Sequence, residues 1–254
     1  MFKFLKYVMM VGLLSSCDSK KNENTLFLLT SADNPPYQFV DSRNGKIDGF
    51  EIELAREIAR RMNMDLEVTD TPFSTLIAGL HAGKGDVAMS AISRTEEREK
   101  EVDFSASYHE AIPTLISKDK IEAKSYEDLK GKHVGVQLGS VYDIAFKNLV
   151  LSDPEFKIKV VSLSLTGELL QEVKKGKIDC MIVDGIVAQN YAKQGFFAMP
   201  LTGQKVDAYS AAFPKGSIIF KKFNEVLEVL RKEGFIDRLT QKWLFEAPSK
   251  LASK

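Results

Sequence analysis

Residues 50–89 read FEIELAREIARRMNMDLEVTDTPFSTLIAGLHAGKGDVAM. Within them Ile52, Ala55, Ile58, Ala59 and Met62 recur at helical spacing on one face. Glu51 and Glu53 stand in the first turn of that helix and Arg60 and Arg61 in its last, as the helix dipole prefers. Leu66-Glu67-Val68-Thr69 then reads as a strand. Phe73, Leu76, Ile77 and Leu80 form a second helical stripe stopped near Gly83, and Val87-Ala88-Met89 reads as another strand. Upstream, Leu26-Phe27-Leu28-Leu29 fits a buried parallel strand, followed by the rigid extended turn Asn34-Pro35-Pro36-Tyr37. The order β-α-β-α-β is that of a parallel sheet covered by helices.

Downstream the rhythm repeats. Val134-Gly135-Val136 is strand-like, and Gly139-Ser140 opens a helix holding Ile144, Ala145 and Leu149. Ile158 to Val161 is a strand, Leu169, Leu170 and Val173 a helical stripe ending near Gly176, and Ile178 to Val183 a further strand. A helix with Ile186, Val187 and Tyr191 follows. Beyond residue 210, Phe220, Phe223, Val226, Leu227 and Leu230, then Ile236, Leu239 and Trp243, predict two amphipathic helices, with Trp243 as a packing anchor. The fold class is α/β, in two units of similar plan. Ligands of open α/β sheets bind beyond the carboxyl ends of the strands, so two facing units predict a ligand held between them.

Composition narrows the function. The 254 residues carry 35 Lys plus Arg and 35 Asp plus Glu, without the basic surplus a general nucleic-acid binder needs. Hydrophobic residues at 44% and charged residues at 28% exclude a wholly disordered chain. Two Cys exclude a disulfide-rich scaffold, and His81, His109 and His133 share no ligand spacing, so no metal or cofactor is expected. Cys180, within an apolar strand, reads as a small core residue.

The N-terminus reads as an address. In residues 1–17, MFKFLKYVMMVGLLSSC, Lys3 and Lys6 precede a short apolar core and two small residues, the pattern of a secretory signal. The apolar run is too short to span a bilayer. Leu14-Ser15-Ser16-Cys17 resembles the bacterial lipobox, which implies removal of residues 1–16 as a signal peptide and lipidation of Cys17. Its loss would leave two more acids than bases. Residues 17–24 are expected to be the lipidated Cys and a polar tether, standing a folded domain off a membrane. A plain signal peptide with an incidental Cys is the alternative.

Five segments in order carry a family resemblance: PPYQFVDSRNGKIDGFEIELAREIARRM, LIAGLHAGKGDVAMSAISRTEEREKEVDFS, YEDLKGKHVGVQLGS, GKIDCMIVDGIVA and LRKEGFIDRLTQKW. Together they resemble the family 3 extracellular solute-binding proteins, the amino-acid receptors of ABC importers, over nearly all of residues 25–246. The resemblance implies the two-lobed periplasmic-binding-protein fold, each lobe a mixed, mostly parallel sheet flanked by helices. Lobe one would take residues 25–112 plus 209–250 and lobe two 113–208, with crossings near Ile112 to Ile116 and Val206 to Phe213. The lobes would hinge shut on the ligand.

The resemblance also implies a site. Excluding water from an amino acid requires partners for its carboxylate and its ammonium. Arg98, in Thr95-Glu96-Glu97-Arg98, stands at the family's carboxylate-binding arginine, whose planar fork donates two parallel bonds. Without the surrounding motif it would read as a surface residue of a charged stretch. Ser93 stands where the family has a Ser or Thr on the carboxylate, Ala91 where the backbone faces the ligand, and Ser90 beside them; the plain alternative is a strand end with small residues. From the second lobe the Ser140 hydroxyl and the Val141 N–H would join, because helix N-termini favour anions; Ser140 also suits a helix cap. Asp184 matches the acid that accepts from the ligand ammonium and equally suits a cap. Phe73 stands at the apolar lid, with simple packing as the alternative. Asn34 replaces an aromatic that many members carry, and Ser31 stands where receptors for basic amino acids often have Asp. Arg94 replaces an apolar residue and either faces solvent or tunes the pocket.

The resulting expectation is a monomeric, non-enzymatic lipoprotein on the periplasmic side of the cell envelope. It would take a polar free amino acid to ABC permease subunits. Two alternatives stay open: an enzyme resembling the periplasmic cyclohexadienyl dehydratases, and a ligand-sensing partner of a membrane kinase.

Overall fold

The computed structural model describes residues 24–205 and 207–246. The expected signal peptide, Cys17 and most of the tether lie outside the described residues, as do Val206 and residues 247–254.

The apolar run near the N-terminus forms β1 (Thr25–Thr30), with β5 (Asp65–Asp70) and β6 (Val87–Ala88) parallel to it on either side. The full order in this sheet is β5-β1-β6-β15-β7, where β7 is Val102–Phe104 and β15 is Ala212–Pro214. Strand β15 runs antiparallel to both neighbours, so the chain returns to its first sheet after an excursion of about a hundred residues. Three short antiparallel strands, β2 (Asp33–Asn34), β3 (Gln38–Val40) and β4 (Ile47–Asp48), stand beyond the end of β1.

Helix α1 (Phe50–Arg61) covers this sheet with Ile52, Leu54, Ala55 and Ile58 fully buried. Each large aliphatic buried this way contributes about 1.5–3 kcal/mol. The stripe expected from Phe73 onward divides: Phe73–Thr75 is a 3-10 turn, and α2 (Leu76–His81) buries Leu76 and Leu80. A third, short helix is α3 (Glu96–Glu101).

The second sheet has the order β11-β10-β12-β9-β13, with β9 as Pro113–Ser117, β10 His133–Gln137, β11 Lys159–Leu163, β12 Cys180–Asp184 and β13 Phe197–Pro200. Strands β10, β11 and β12 are parallel, and β9 opposes β12 and β13. The expected strand from Ile178 starts two residues later and runs to Asp184, and that from Ile158 is Lys159–Leu163. Helices α4 (Val141–Ser152), α5 (Thr166–Lys174) and α6 (Gly185–Ala192) connect these strands. Gly135 of β10 has no room for a side chain: a Cβ there would stand 2.5 Å from Ile178 Cδ1 and 3.0 Å from Leu169 Cδ2.

Two antiparallel strands link the sheets, β8 (His109–Ala111) and β14 (Asp207–Tyr209). The crossing expected at Ile112 to Ile116 overlaps β9, which pairs inside the second sheet. Helix α7 (Phe220–Lys232) buries Phe223, Leu227 and Leu230 in the core shared with α1, and α8 (Phe235–Thr240) adds Ile236 and Leu239. Trp243 follows in a π-helical turn, packs edge-on against Phe39 and donates from Nε1 to Glu53 at 2.6 Å. The molecule is therefore a two-lobed α/β protein, and residues following the carboxyl ends of strands in both sheets border one cleft.

Candidate functional site in the cleft

A pocket lies between the lobes. Asn34, Phe73, Ser90, Ala91, Ser93 and Arg98 line it from the first lobe, and Ser140, Val141 and Asp184 from the second. All nine residues expected to contact a ligand thus share one pocket, whereas Ser31 and Arg94 do not line it. Gln137, Thr166, Tyr142 and Tyr209 also line it and were not anticipated.

Arg98 is buried although it lies in a charged segment. Thr95 caps α3 by accepting from the Arg98 N–H, which sets the helix so that the side chain turns inward. Its guanidinium donates to the Ser93 carbonyl at 2.7 Å and to the Gly139 carbonyl at 2.9 Å, one on each lobe. The Phe73 ring lies 5.7 Å beneath it, a cation–π contact. Arg94, four residues earlier, is more than half exposed and pairs with Glu99; it faces solvent.

The strand end of the first lobe is braced from behind. Ala91 adopts φ 52° and turns its N–H to both carboxylate oxygens of Glu51, at 2.8 and 3.0 Å. That donor is therefore directed away from the cavity. Glu51 also accepts from the Tyr108 hydroxyl and is fully buried, which pushes its pKa up to about 7. The sequence suggested only a favourable charge at a helix start. The Ser90 hydroxyl is likewise engaged behind the wall, accepting from the Ser31 N–H at 3.0 Å and from Gln38 Nε2 at 3.2 Å.

The second lobe meets the cavity with helix starts. Ser140 caps α4, accepting from the Asp143 N–H at 3.2 Å. Gly139 beside it has φ 78°, and a Cβ there would stand 3.1 Å from the Cα of Ser74 in the opposite lobe. Asp184 ends β12 and caps α6: Oδ1 accepts from the N–H groups of Ile186 and Val187 at 2.8 and 3.0 Å. Its Oδ2 accepts from the Tyr209 hydroxyl at 3.1 Å. Burial raises its pKa to about 6, against the pull of these bonds. His109, behind the wall, shares a 2.9 Å bond with the Tyr37 hydroxyl and is held to about 4 by burial.

A buried guanidinium and a buried carboxylate thus line one cleft, together with hydroxyls and helix N-termini. Such a set suits a small molecule bearing both an anion and a cation. Among the described residues no group of three or more His, Cys, Asp or Glu could hold a metal ion. Cys180 is buried, and its thiol is pushed up to about 12.

The chain is similar to known proteins along most of its length. The family described as bacterial extracellular solute-binding proteins, family 3, matches residues 26–246. The arginine-binding extracellular protein ArtP of Bacillus subtilis (strain 168) is 35% identical over 90% of this chain and 89% of its own. An ancestral arginine-binding protein bound to arginine superposes with a TM-score of 0.79 at 36% identity, over 87% of this chain and 98% of its own. An ancestral arginine-binding protein bound to glutamine gives 0.78 at 37%, over 88% and 99%. All three are described by what they bind.

Proposed function

The chain belongs to the bacterial extracellular solute-binding proteins, family 3, and on that premise we propose that it captures a free amino acid between its lobes and hands it to an ABC importer. The reading rests on one observation above the others: Arg98 and Asp184, of opposite charge, line the same cavity from opposite lobes. The ligand carboxylate meets Arg98 and the Ser93 hydroxyl on one side and the Ser140 hydroxyl and Val141 N–H on the other. The ammonium meets Asp184. Ala91 and Ser90 supply a close-fitting wall, while Phe73 and Asn34 bound the side chain.

Because the partners come from both lobes, the closed form gains contacts that the open form cannot make, and ligand shifts the population toward closure. In this reading residues 25–112 with 209–250 move as one lobe and 113–208 as the other. The wall near the side chain carries the neutral groups of Asn34, Gln137 and Thr166, which suits a polar side chain. The relatives described as binding arginine and glutamine are consistent with that class. After removal of residues 1–16, lipid on Cys17 holds the protein at the periplasmic face of a membrane, beside the permease subunits it serves.

A thermal-shift screen of the purified protein against the twenty amino acids tests the reading, because a ligand of the native state raises the midpoint by mass action. One or a few amino acids should give a clear rise, with calorimetry confirming each. No rise with any of them would refute it. Mass spectrometry of the membrane fraction should find a diacyl or triacyl modification on Cys17, absent from Cys17→Ala.

A further inference from the structure

The three helices that start at the cleft in the second lobe are not capped alike. Ser140 caps α4 and Asp184 caps α6, each from its own chain position. Helix α5 begins after Leu165, which has no side chain able to cap and gives no such bond. Its first amide is satisfied from the other lobe. Asp33 Oδ2 accepts from the Thr166 N–H at 2.9 Å, from Thr166 Oγ1 at 2.8 Å and from Gln137 Nε2 at 3.1 Å. The Asp33 carbonyl accepts a second contact from Thr166 Oγ1 at 3.1 Å. The other carboxylate oxygen, Oδ1, accepts from Ser31 Oγ at 2.9 Å within its own lobe.

We propose that Asp33 is a helix cap supplied across the cleft, and that it latches the closed form without touching the ligand. The proposal rests on the reading that ligand is held between hinged lobes. One oxygen of the carboxylate is tied to lobe one, which fixes the side chain's direction. The other faces the positive end of a nine-residue helix in lobe two, where an anion is stabilised by unpaired N–H groups and the dipole. When the lobes part, this oxygen and the Thr166 N–H exchange each other for water. The bond therefore adds to the closed state alone, whatever ligand is inside. Asp33 does not line the cavity, so it sets how long the lobes stay shut and not which amino acid is chosen. In this it differs from the Arg98–Gly139 and Tyr209–Asp184 bonds, whose side chains belong to the cavity wall.

The test is stopped-flow kinetics of the purified protein. The probe is L-arginine, or whichever member of the twenty-amino-acid panel shifts the wild-type midpoint most. Asp33→Ala should release the probe about tenfold faster with its association rate unchanged, the size expected for loss of a cap. Asp33→Asn, which keeps an acceptor oxygen, should restore most of the slow release. In a Thr166→Val background the Asp33→Ala effect should shrink, because the two residues share the bond. The ranking of amino acids should be the same in Asp33→Ala and Asp33→Asn as in the wild type, because Asp33 does not line the cavity. An unchanged release rate, or an effect undiminished in Thr166→Val, would overturn the latch. If the wild type binds none of the twenty, the functional reading fails instead, and small-angle scattering of the ligand-free protein decides the latch. A larger radius of gyration for Asp33→Ala than for wild type then supports it, and identical scattering overturns it.

Discussion

The two walls of the cleft meet the cavity with different chemistry. The first lobe contributes a charged side chain, Arg98, and a strand end whose left-handed Ala91 is held by the buried Glu51. The second lobe contributes helix beginnings, at Ser140, Thr166 and Asp184, where the backbone itself is polar. One wall is built by placing a side chain and bracing it from behind. The other is built by aiming backbone dipoles and capping them, with Asp184 serving both as a cap and as the wall's charged side chain. Side-chain walls fail when one group is cut away, whereas backbone walls fail when the approach of the lobes is obstructed.

The largest expected effect falls on the first wall. Arg98→Ala should weaken amino-acid binding by more than about 100-fold in calorimetry, since stranding a buried charge costs roughly 3–5 kcal/mol. A loss of less than about threefold would remove the side-chain account of that wall. On the second wall, Asp184→Asn keeps an effective cap. It should lower affinity by about 10- to 100-fold through the charge-assisted bond alone. The midpoint of the ligand-free protein at pH 8 should hold or rise, because a buried charge is gone.

Gly139→Ala tests approach instead of charge. The new Cβ meets Ser74 of the opposite lobe, and φ 78° disfavours any L side chain. Affinity should fall about tenfold, a cost of about 1–2 kcal/mol. An affinity equal to wild type would mean that the lobes close less tightly than they do here.

The smallest effect concerns pH. Burial holds Glu51 at about 7 and Asp184 at about 6, above their ordinary values of 4.5 and 3.8. Between these limits the folded state binds more protons than the unfolded chain. Their contribution to stability is therefore complete below the ordinary values and is lost as pH rises through about 6 and 7. Melting of the ligand-free protein should show a midpoint that declines by a few degrees from pH 5 to pH 8. Glu51→Gln should flatten that decline. Ligand affinity should move the other way, rising through pH 6 as Asp184 ionises to meet the ammonium.

The cavity residues read from the sequence are those adjoining strand ends or standing in a family motif: Ser90, Ala91, Ser93, Ser140, Val141 and Asp184 all follow or end an apolar run. Arg98 was legible through its motif, because composition alone would have left it in solvent. Glu51 was not legible as a brace. Its partners Ala91 and Tyr108 lie 40 and 57 positions away, and a first-turn acid already has a sufficient local reason to exist. Arg94 is ambiguous from sequence, and only its exposed pairing with Glu99 turns it to solvent. Asp33 carried no local signal, since its partner Thr166 is 133 residues distant.

By itself the sequence determined the α/β alternation, the helix faces and the two-unit plan, because periodicity and capping are local properties of a chain, while the pair Arg98 and Asp184 was legible only through the family resemblance. Tertiary structure alone decided that β15 returns to the first sheet, that Glu51 is buried behind Ala91, and that helix α5 takes its cap from the opposite lobe. Those three depend on surfaces that meet only after both sheets have formed, and no spacing along the chain encodes the distance between them.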